Sequence, residues 1–521
     1  MKALSLNLAF LLAILAAASC NRDDEALPGP EPPPLREIPV QDLLEAPISV
    51  ELNPYGNTPL SAQARIQAKS AVRVHFLIDD TQQIQYQTET AGQEHQLAVL
   101  GLQPNAENRI IFTLTQDDGS YGKDTLTVTT PELPSYLPII QMAVKKPEQM
   151  EAGLTLCGFS YCKDGLMNSR PFIFDSEGTI RWLLDIEALS TFFYPVKRLQ
   201  NGHWIFGNLN DLYEYDMLGR EINRWTLEGY SQHHEIVEKA DGNLLIAVTD
   251  ERLDTANDQI IEIGRSNGTI VKKWDLREAM DNQRFSILWN SRDWLHVNSI
   301  WYDESDQSLV ISARHQGIFK VSYDNELQWI LAPQKDWGHA GADGSGLLTA
   351  DFLLTAIDGN GAPYPENIQQ GQDRAEDFDW PWGQHAVMAM PNGRLLAFDN
   401  GFRRNFQTDE QNLHSRGVEY ELNEANRTVR QVWEYGKNRG QAFYSRNISD
   451  VDFLPQTGNR LISSGNIHYE GAASCKIVEL SPAGEVVFEA GLIYANLYGS
   501  GIDSWGHTDV VYRSERLALY P

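Results

Sequence analysis

Two stretches decide the fold: HEIVEKADGNLLIAV, from His234 to Val248, and HAVMAMPNGRLLAFDNG, from His385 to Gly401. Each reads as a short strand, a polar turn carrying glycine, and a more apolar second strand. In both, the opening histidine lies eight residues before the turn glycine, Gly242 or Gly393. The same frame returns as YPVKRLQNGHWIFGN from Tyr194 and as DVDFLPQTGNRLISSG from Asp450. HVNSIWYDESDQSLVISAR from His296 has a longer turn, and HTDVVYRSERLALY from His507 is a degenerate sixth copy. A second hairpin alternates with the first, its later strand often carrying Trp: FIFDSEGTIRWLL from Phe172, LYEYDMLGREINRWTL from Leu212, IIEIGRSNGTIVKKWDL from Ile260, IFKVSYDNELQWIL from Ile318, VEYELNEANRTVRQVWEYG from Val418 and KIVELSPAGEVVFEA from Lys476. Six alternating copies of each hairpin predict an all-β fold, a six-bladed β-propeller of four-stranded blades.

Outward from the repeat, residues 46–135 show short alternating strands at Ile48 to Leu52, Val72 to Ile78, Gln96 to Leu102 and Asn108 to Thr115, the pattern of a small β-sandwich. The prolines between Pro131 and Pro138 mark its boundary with the propeller, residues 136–521. Residues 21–45, with Pro28, Pro30 and Pro32 to Pro34, read as an extended tether. Residues 1–20 read as a signal peptide: Lys2, an apolar run from Leu4 to Ala18 too short for a comfortable membrane span, and Ala17-Ala18-Ser19-Cys20. Cys20 in that setting resembles a lipobox cysteine, with an ordinary cleaved signal as the alternative. Either reading places the mature chain outside the cytoplasm, as an exported lipoprotein of the periplasm, outer membrane or cell surface. In that oxidising compartment Cys157 and Cys162 are expected to close a small disulfide loop, and Cys475 to be a buried thiol. A long insertion, Ala332 to Trp382, is expected to be functional or a lid, and Leu276 to Phe285 to be a short helix.

With 42 Lys and Arg against 71 Asp and Glu, the formal charge is −29, which argues against a nucleic-acid partner. An anionic substrate would need a local cationic pocket. The repeat supplies one. Residues at one phase of the innermost strands ring the mouth of the axial channel, so Tyr194, His234, His296, His385 and Asp450 should converge there. Asn298 lies two residues after His296 and on its face of the strand. Arg314 and His315 end the paired strand, and a guanidinium fork suits the oxygens of a sulfate or phosphate. Asn400 reads as a turn former. Three histidines could bind zinc and activate water, but an adjacent arginine opposes a cation and favours an anion, with histidine as nucleophile. No metal and no cofactor are expected.

DWLHVNSIWYDESDQSLVISARHQGIFKV, Asp293 to Val321, resembles the signature of bacterial arylsulfate sulfotransferases, and GQHAVMAMPNGRLLAFDNGFRR, Gly383 to Arg404, resembles that family's catalytic-histidine segment. SRGVEYELNE from Ser415 and the closing YRSERLALYP are similar to it too. The resemblance implies a six-bladed propeller behind a small β-domain. It implies ping-pong transfer of a sulfuryl group from a phenolic sulfate ester to a phenol, without the nucleotide donor PAPS. His385 then becomes the transiently sulfated nucleophile, with His234, His296, Asn298 and Arg314 in support. His233 leaves the register at His234 open, and the family's fifth-blade hydroxyl falls near Ser449 and Asp450. A hydrolase using the same site, or a non-catalytic binding propeller, stays open as an alternative. The resemblance further implies periplasmic, often dimeric proteins, hence a homodimer here, with a membrane tie through Cys20.

Overall fold

The computed structural model describes residues 35–189, 191–288, 290–408, 413–469, 471, 473–495 and 508–520. The signal peptide with Cys20, most of the tether, and His507 at the head of the sixth inner repeat lie outside the described residues.

Six sheets follow one another in the order the repeats predict. Blades two, three and four are four-stranded antiparallel sheets whose innermost strands are Val196–Arg198, Tyr230–Glu238 and Val297–Asp303. Blades five and six start on His385–Ala389 and Asp450–Leu454. Each carries a fifth strand on its outer edge, Thr355–Ala356 and Ile139–Lys145 respectively. Blade one closes the ring. Its innermost strand is Val510–Leu517, near the end of the chain, paired with Leu154–Lys163 from the start of the propeller. The degenerate copy from His507 is therefore a single strand and not a hairpin: its partner is 350 residues away in sequence, so turn chemistry at that point was not needed.

The recurrent Trp bolts blade to blade. Trp182, Trp225 and Trp329 sit on the outermost strands of blades one, two and four. Their Nε1–H groups donate to Met217 O at 2.9 Å, Arg265 O at 2.9 Å and Glu424 Oε1 at 3.0 Å, each in the outer turn of the next blade. The rings meanwhile fill the space between sheets. Truncating such a ring to alanine costs about 3–5 kcal/mol.

The N-terminal unit is a β-sandwich in which one long strand, Ser61–Ile78, serves both sheets. Phe76, Phe112, Val74 and Leu114 alternate with outward polar residues and form its core. Part of the expected tether belongs to this unit. Arg36–Glu37 pairs with Ser120 and Tyr121, and the short helix Val40–Leu43 buries Val40 and Leu43. Apolar residues at those positions gain more from the core than from a solvated spacer. Arg181 ties the sandwich to the propeller through Asp80 and through Gly101 O at 2.9 Å. After the closing strand, Tyr520 accepts from Leu100 N at 2.7 Å.

Two further expectations are corrected. Cys157 and Cys162 lie on one extended strand, Leu154–Lys163. At about 3.3 Å per residue their Cα atoms are about 16 Å apart, beyond the reach of a disulfide. Cys157 is buried near Cys475, which is also buried and pushed up to about 12 by burial. Leu276 to Phe285 is a series of turns. The Ala332 to Trp382 insertion packs as a buttress on blade five, burying Ile368, Trp380 and Trp382, and delivers the chain to His385.

Candidate active site

Four of the six innermost strands carry a bulge near the same end of the propeller: between Gln232 and Ile236, Val297 and Ser299, His385 and Met388, and Val511 and Ser514. A bulge adds residues to one strand and re-aims their side chains. The backbone there enters the left-handed region at His234 (φ 62°), His296 (φ 59°) and Ala386 (φ 54°). Such non-glycine conformations cost on the order of 1–3 kcal/mol each and persist where the surroundings impose them.

The bulges bring the predicted histidines together. The His234 ring lies 4.9 Å from that of His296 and 6.0 Å from that of His385, centroid to centroid. His233 joins them, 4.8 Å from His296. His315 lies 5.0 Å from His296 on another side, and its Nδ1 donates to Asp293 O at 2.7 Å. Tyr194 forms a wall, 5.4 Å from His234.

Two hydrogen-bonded arrangements organise these rings. The first is a chain: Asp293 Oδ2 lies 2.6 Å from His296 Nδ1, His296 Nε2 lies 3.0 Å from His234 Nε2, and His234 Nδ1 meets the Tyr512 hydroxyl. One proton bridges the two Nε2 atoms. The second fixes His385. Its Nδ1 is 2.7 Å from Asn400 Oδ1, while Asn400 Nδ2 donates to Ser445 O at 2.8 Å and Ile448 O at 3.0 Å. Two carbonyls can only accept, so the amide cannot be flipped, Asn400 Oδ1 must accept, and His385 must carry its proton on Nδ1. Its Nε2 is left with a free lone pair. Gly401 makes this turn: at φ 73° a Cβ there would collide with His414 O.

Arg314 and Arg446 flank Phe402, with guanidinium carbons 5.2 and 4.6 Å from its centroid. Burial and the charge of Arg446 push Arg314 down to about 10, so it stays cationic at neutral pH. Burial, then the Arg314 charge, hold His385 well below the ordinary histidine range. Burial and the neighbouring rings do the same to His234, and bring His233 and His315 to about 3. Burial alone would push the Asp293 carboxyl up, but His296, His315 and His233 hold it below the usual carboxylate range. His233, His234, His315 and His385 are thus neutral imidazoles beside a fixed cation, a composition that accepts an anion and offers it a nucleophile.

The remaining predicted residues fall close by but with other contacts. Asn298 is fully buried and donates from Nδ2 to Gln384 O at 2.6 Å, which pins the peptide before His385. The Ser449 hydroxyl donates to Ser445 Oγ at 2.9 Å and accepts from Gly465 N at 3.0 Å. Asp450 turns into the channel beneath, where burial raises its carboxyl in a cluster with Arg513, Glu515, Lys197 and Glu235. Arg513 is forked onto Glu235 there, at 2.8 and 3.1 Å. Asp293, Tyr512 and the second role of Asn400 escaped the sequence reading. Asp293 lies outside the strand phase, Tyr512 lies in the degenerate repeat, and Asn400 looked like turn chemistry alone.

A family model described as arylsulfotransferase (ASST) matches residues 140–498, and one described as the arylsulfotransferase Ig-like domain matches residues 49–131. The chain is similar to arylsulfate sulfotransferase AssT of Escherichia coli O6:H1, 30% identical over 354 residues, covering 57% of this chain and 58% of that one. It is similar to the AssT of Lelliottia amnigena at 29% identity with the same coverage. The chain thus spans a little over half the length of these relatives. A solved structure from Bacteroides caccae, of unknown function, aligns at 12% identity with a TM-score of 0.40, over 70% of this chain and 98% of that one.

Proposed function

The chain belongs to the arylsulfotransferase family, and from that premise we propose that it moves a sulfuryl group from a phenolic sulfate ester to a second phenol, without a nucleotide donor, through a sulfated His385. The observation that carries this reading is the locked Asn400 amide, which leaves His385 Nε2 unprotonated and aimed from a bulged strand start.

His385 Nε2 attacks sulfur, the sulfur–oxygen bond to the aryl group breaks, and the ring becomes a sulfo-imidazolium that keeps its Nδ1–H on Asn400. Arg314 faces the charge on the sulfuryl oxygens. The leaving phenolate takes the proton held between His234 and His296; the pair carries this proton in addition to those of two neutral rings, balanced by the Asp293 carboxylate, and is left neutral. The acceptor phenol returns a proton to the same pair, its oxygen attacks sulfur, and the nitrogen–sulfur bond breaks to regenerate His385. Asp293 and Tyr512 hold the ends of the relay. His233 takes no part.

Incubation with 4-nitrophenyl sulfate, with and without phenol, tests the reading. Release of 4-nitrophenol that depends on phenol supports transfer; release without phenol supports hydrolysis; none in either case leaves a binding propeller. With donor alone, intact mass should increase by one SO3 per chain, and His385→Asn should abolish that increase. We also propose export with a lipid on Cys20, supported by the Leu4 to Ala18 run and the small residues before the cysteine. Labelled palmitate should enter the wild-type chain and not Cys20→Ala.

A further inference from the structure

His233 is the one ring of the cluster that the proposed transfer leaves unused, and its buried Nδ1 has no hydrogen-bond partner. One ligand nitrogen each from His233, His234 and His296 lies within 4.8 Å of the others. The closest pair, His234 Nε2 and His296 Nε2, is 3.0 Å apart. Two nitrogens on a tetrahedral zinc ion, each about 2.0–2.1 Å from the metal, stand about 3.3 Å apart, so this pair needs to open by only a few tenths of an ångström.

We propose that His233, His234 and His296 form a Zn2+ site whose occupation blocks the relay and switches off transfer. The inhibitory half of this proposal rests on the function proposed above; the binding half does not. A histidine that ligates zinc characteristically gives its other nitrogen to a carboxylate or another oxygen. His296 already does so with Asp293 at 2.6 Å, and His234 with the Tyr512 hydroxyl. The ion replaces the proton shared by the two Nε2 atoms, which passes to solvent. A dication beside an arginine would be repelled, but the charge of Arg314 acts on His385 and His315 and is not among the main charges acting on His233 or His234. The Asp293 carboxylate, 2.6 Å from His296 Nδ1, adds negative charge beside the group. Arg513, the other cation acting on His234, is neutralised by Glu235. His233 and His296 keep partial exposure, the His296 side chain 13%, and water would take the fourth position on the ion.

A second group, Asp293, His296 and His315, is comparably close. Its neighbour Arg314 disfavours a cation, so the test separates the two. Chelator-stripped protein is titrated with zinc chloride by calorimetry, and the zinc-loaded protein is measured by X-ray absorption. One ion per chain with an imidazole-rich nitrogen shell is expected. His233→Gln should weaken binding by about tenfold or more and relieve inhibition by zinc, read relative to that variant's own zinc-free rate. His315→Gln should bind zinc like the wild type. The proposal is overturned by absence of binding at micromolar zinc, by a shell without imidazole, by unchanged affinity in His233→Gln, or by affinity lost in His315→Gln. Because calorimetry does not depend on activity, zinc binding without any transfer would count against the catalytic reading alone.

Discussion

Replacing Asn400 by alanine should slow the chemical step while leaving donor binding nearly unchanged. The buried His385 Nδ1–H loses its only hydrogen-bond acceptor, Asn400 Oδ1 at 2.7 Å. An unsatisfied buried donor costs about 1–3 kcal/mol. The ring avoids that cost by moving its proton to Nε2, the nitrogen that must attack. At 1.36 kcal/mol per factor of ten, the reactive tautomer becomes about 5- to 150-fold scarcer. The loss should appear in kcat for 4-nitrophenol release, with KM changed less than threefold. Asn400 also holds Ser445 O and Ile448 O, so thermal stability will drop as well, and rates must be normalised to folded protein. Asn400→Asp separates the two effects. It keeps the acceptor for His385 but loses both donors to the carbonyls. A tautomer role predicts that Asn400→Asp is faster than Asn400→Ala per folded molecule, with its acid limb moved to higher pH because the new anion favours imidazolium. Folded Asn400→Ala within twofold of wild type, or Asn400→Asp slower than Asn400→Ala, would refute the reasoning.

Tyr512→Phe removes the hydroxyl from His234 Nδ1. Transfer should slow about tenfold with phenyl sulfate, whose leaving group needs a proton, and little with 4-nitrophenyl sulfate; equal slowing with both donors contradicts the relay. His233, His234, His315 and His385 are all held below the ordinary histidine range. The unfolded chain therefore binds more protons than the folded one below pH 6.5, and stability falls on acidification. The slope approaches about 1.4 kcal/mol per pH unit for each group, roughly 5 for the four, as pH drops from 6.5 towards 4.5. Urea unfolding across that range should show it, and His315→Gln should remove about a quarter of the slope. Dithiothreitol should leave the melting temperature unchanged, because Cys157 and Cys162 are not joined; a fall of several degrees would argue otherwise. Sodium sulfate at millimolar concentration should raise the melting temperature more than equal ionic strength of chloride does, and Arg314→Gln should abolish the difference.

The propeller was legible because each blade repeats a local code of alternating strand, glycine turn and Trp strand. Rotation then turns equal phase into shared location, which is why His234, His296 and His385 could be placed together before any coordinates. What could not be read was whatever the repeat does not encode. Tyr512 enters the site from a strand that pairs with the beginning of the propeller, so its phase had no turn to be counted from. Asp293 reaches His296 from a loop, three residues upstream, where neither strand nor helix periodicity applies. Asp450 had the right phase and went elsewhere. Its strand lacks the bulge present in the strands of His234, His296 and His385, and its side chain follows the regular pleat into the channel.

The bulge also explains how so acidic a chain keeps an anion site. Two of the arginines at this end of the axis, Arg513 and Arg314, are treated oppositely. Arg513 lies within the bulge between Val511 and Ser514 and is forked onto Glu235, so its field is largely cancelled. Arg314 follows the strand Ser308–Ala313, facing the bulge at Val297 and Ser299, and no carboxylate among the described residues lies within ion-pair distance of it. Its Nε is buried without a hydrogen-bond partner. A buried guanidinium left in that state is costly unless an anion arrives to complete it. The sulfuryl oxygens of a substrate would complete it, and their charge would in turn favour the imidazolium that forms on His385 when Nε2 bonds to sulfur. One displaced cation therefore serves both to bind the anion and to make the nucleophile's charged product tolerable, without altering the net charge of the molecule.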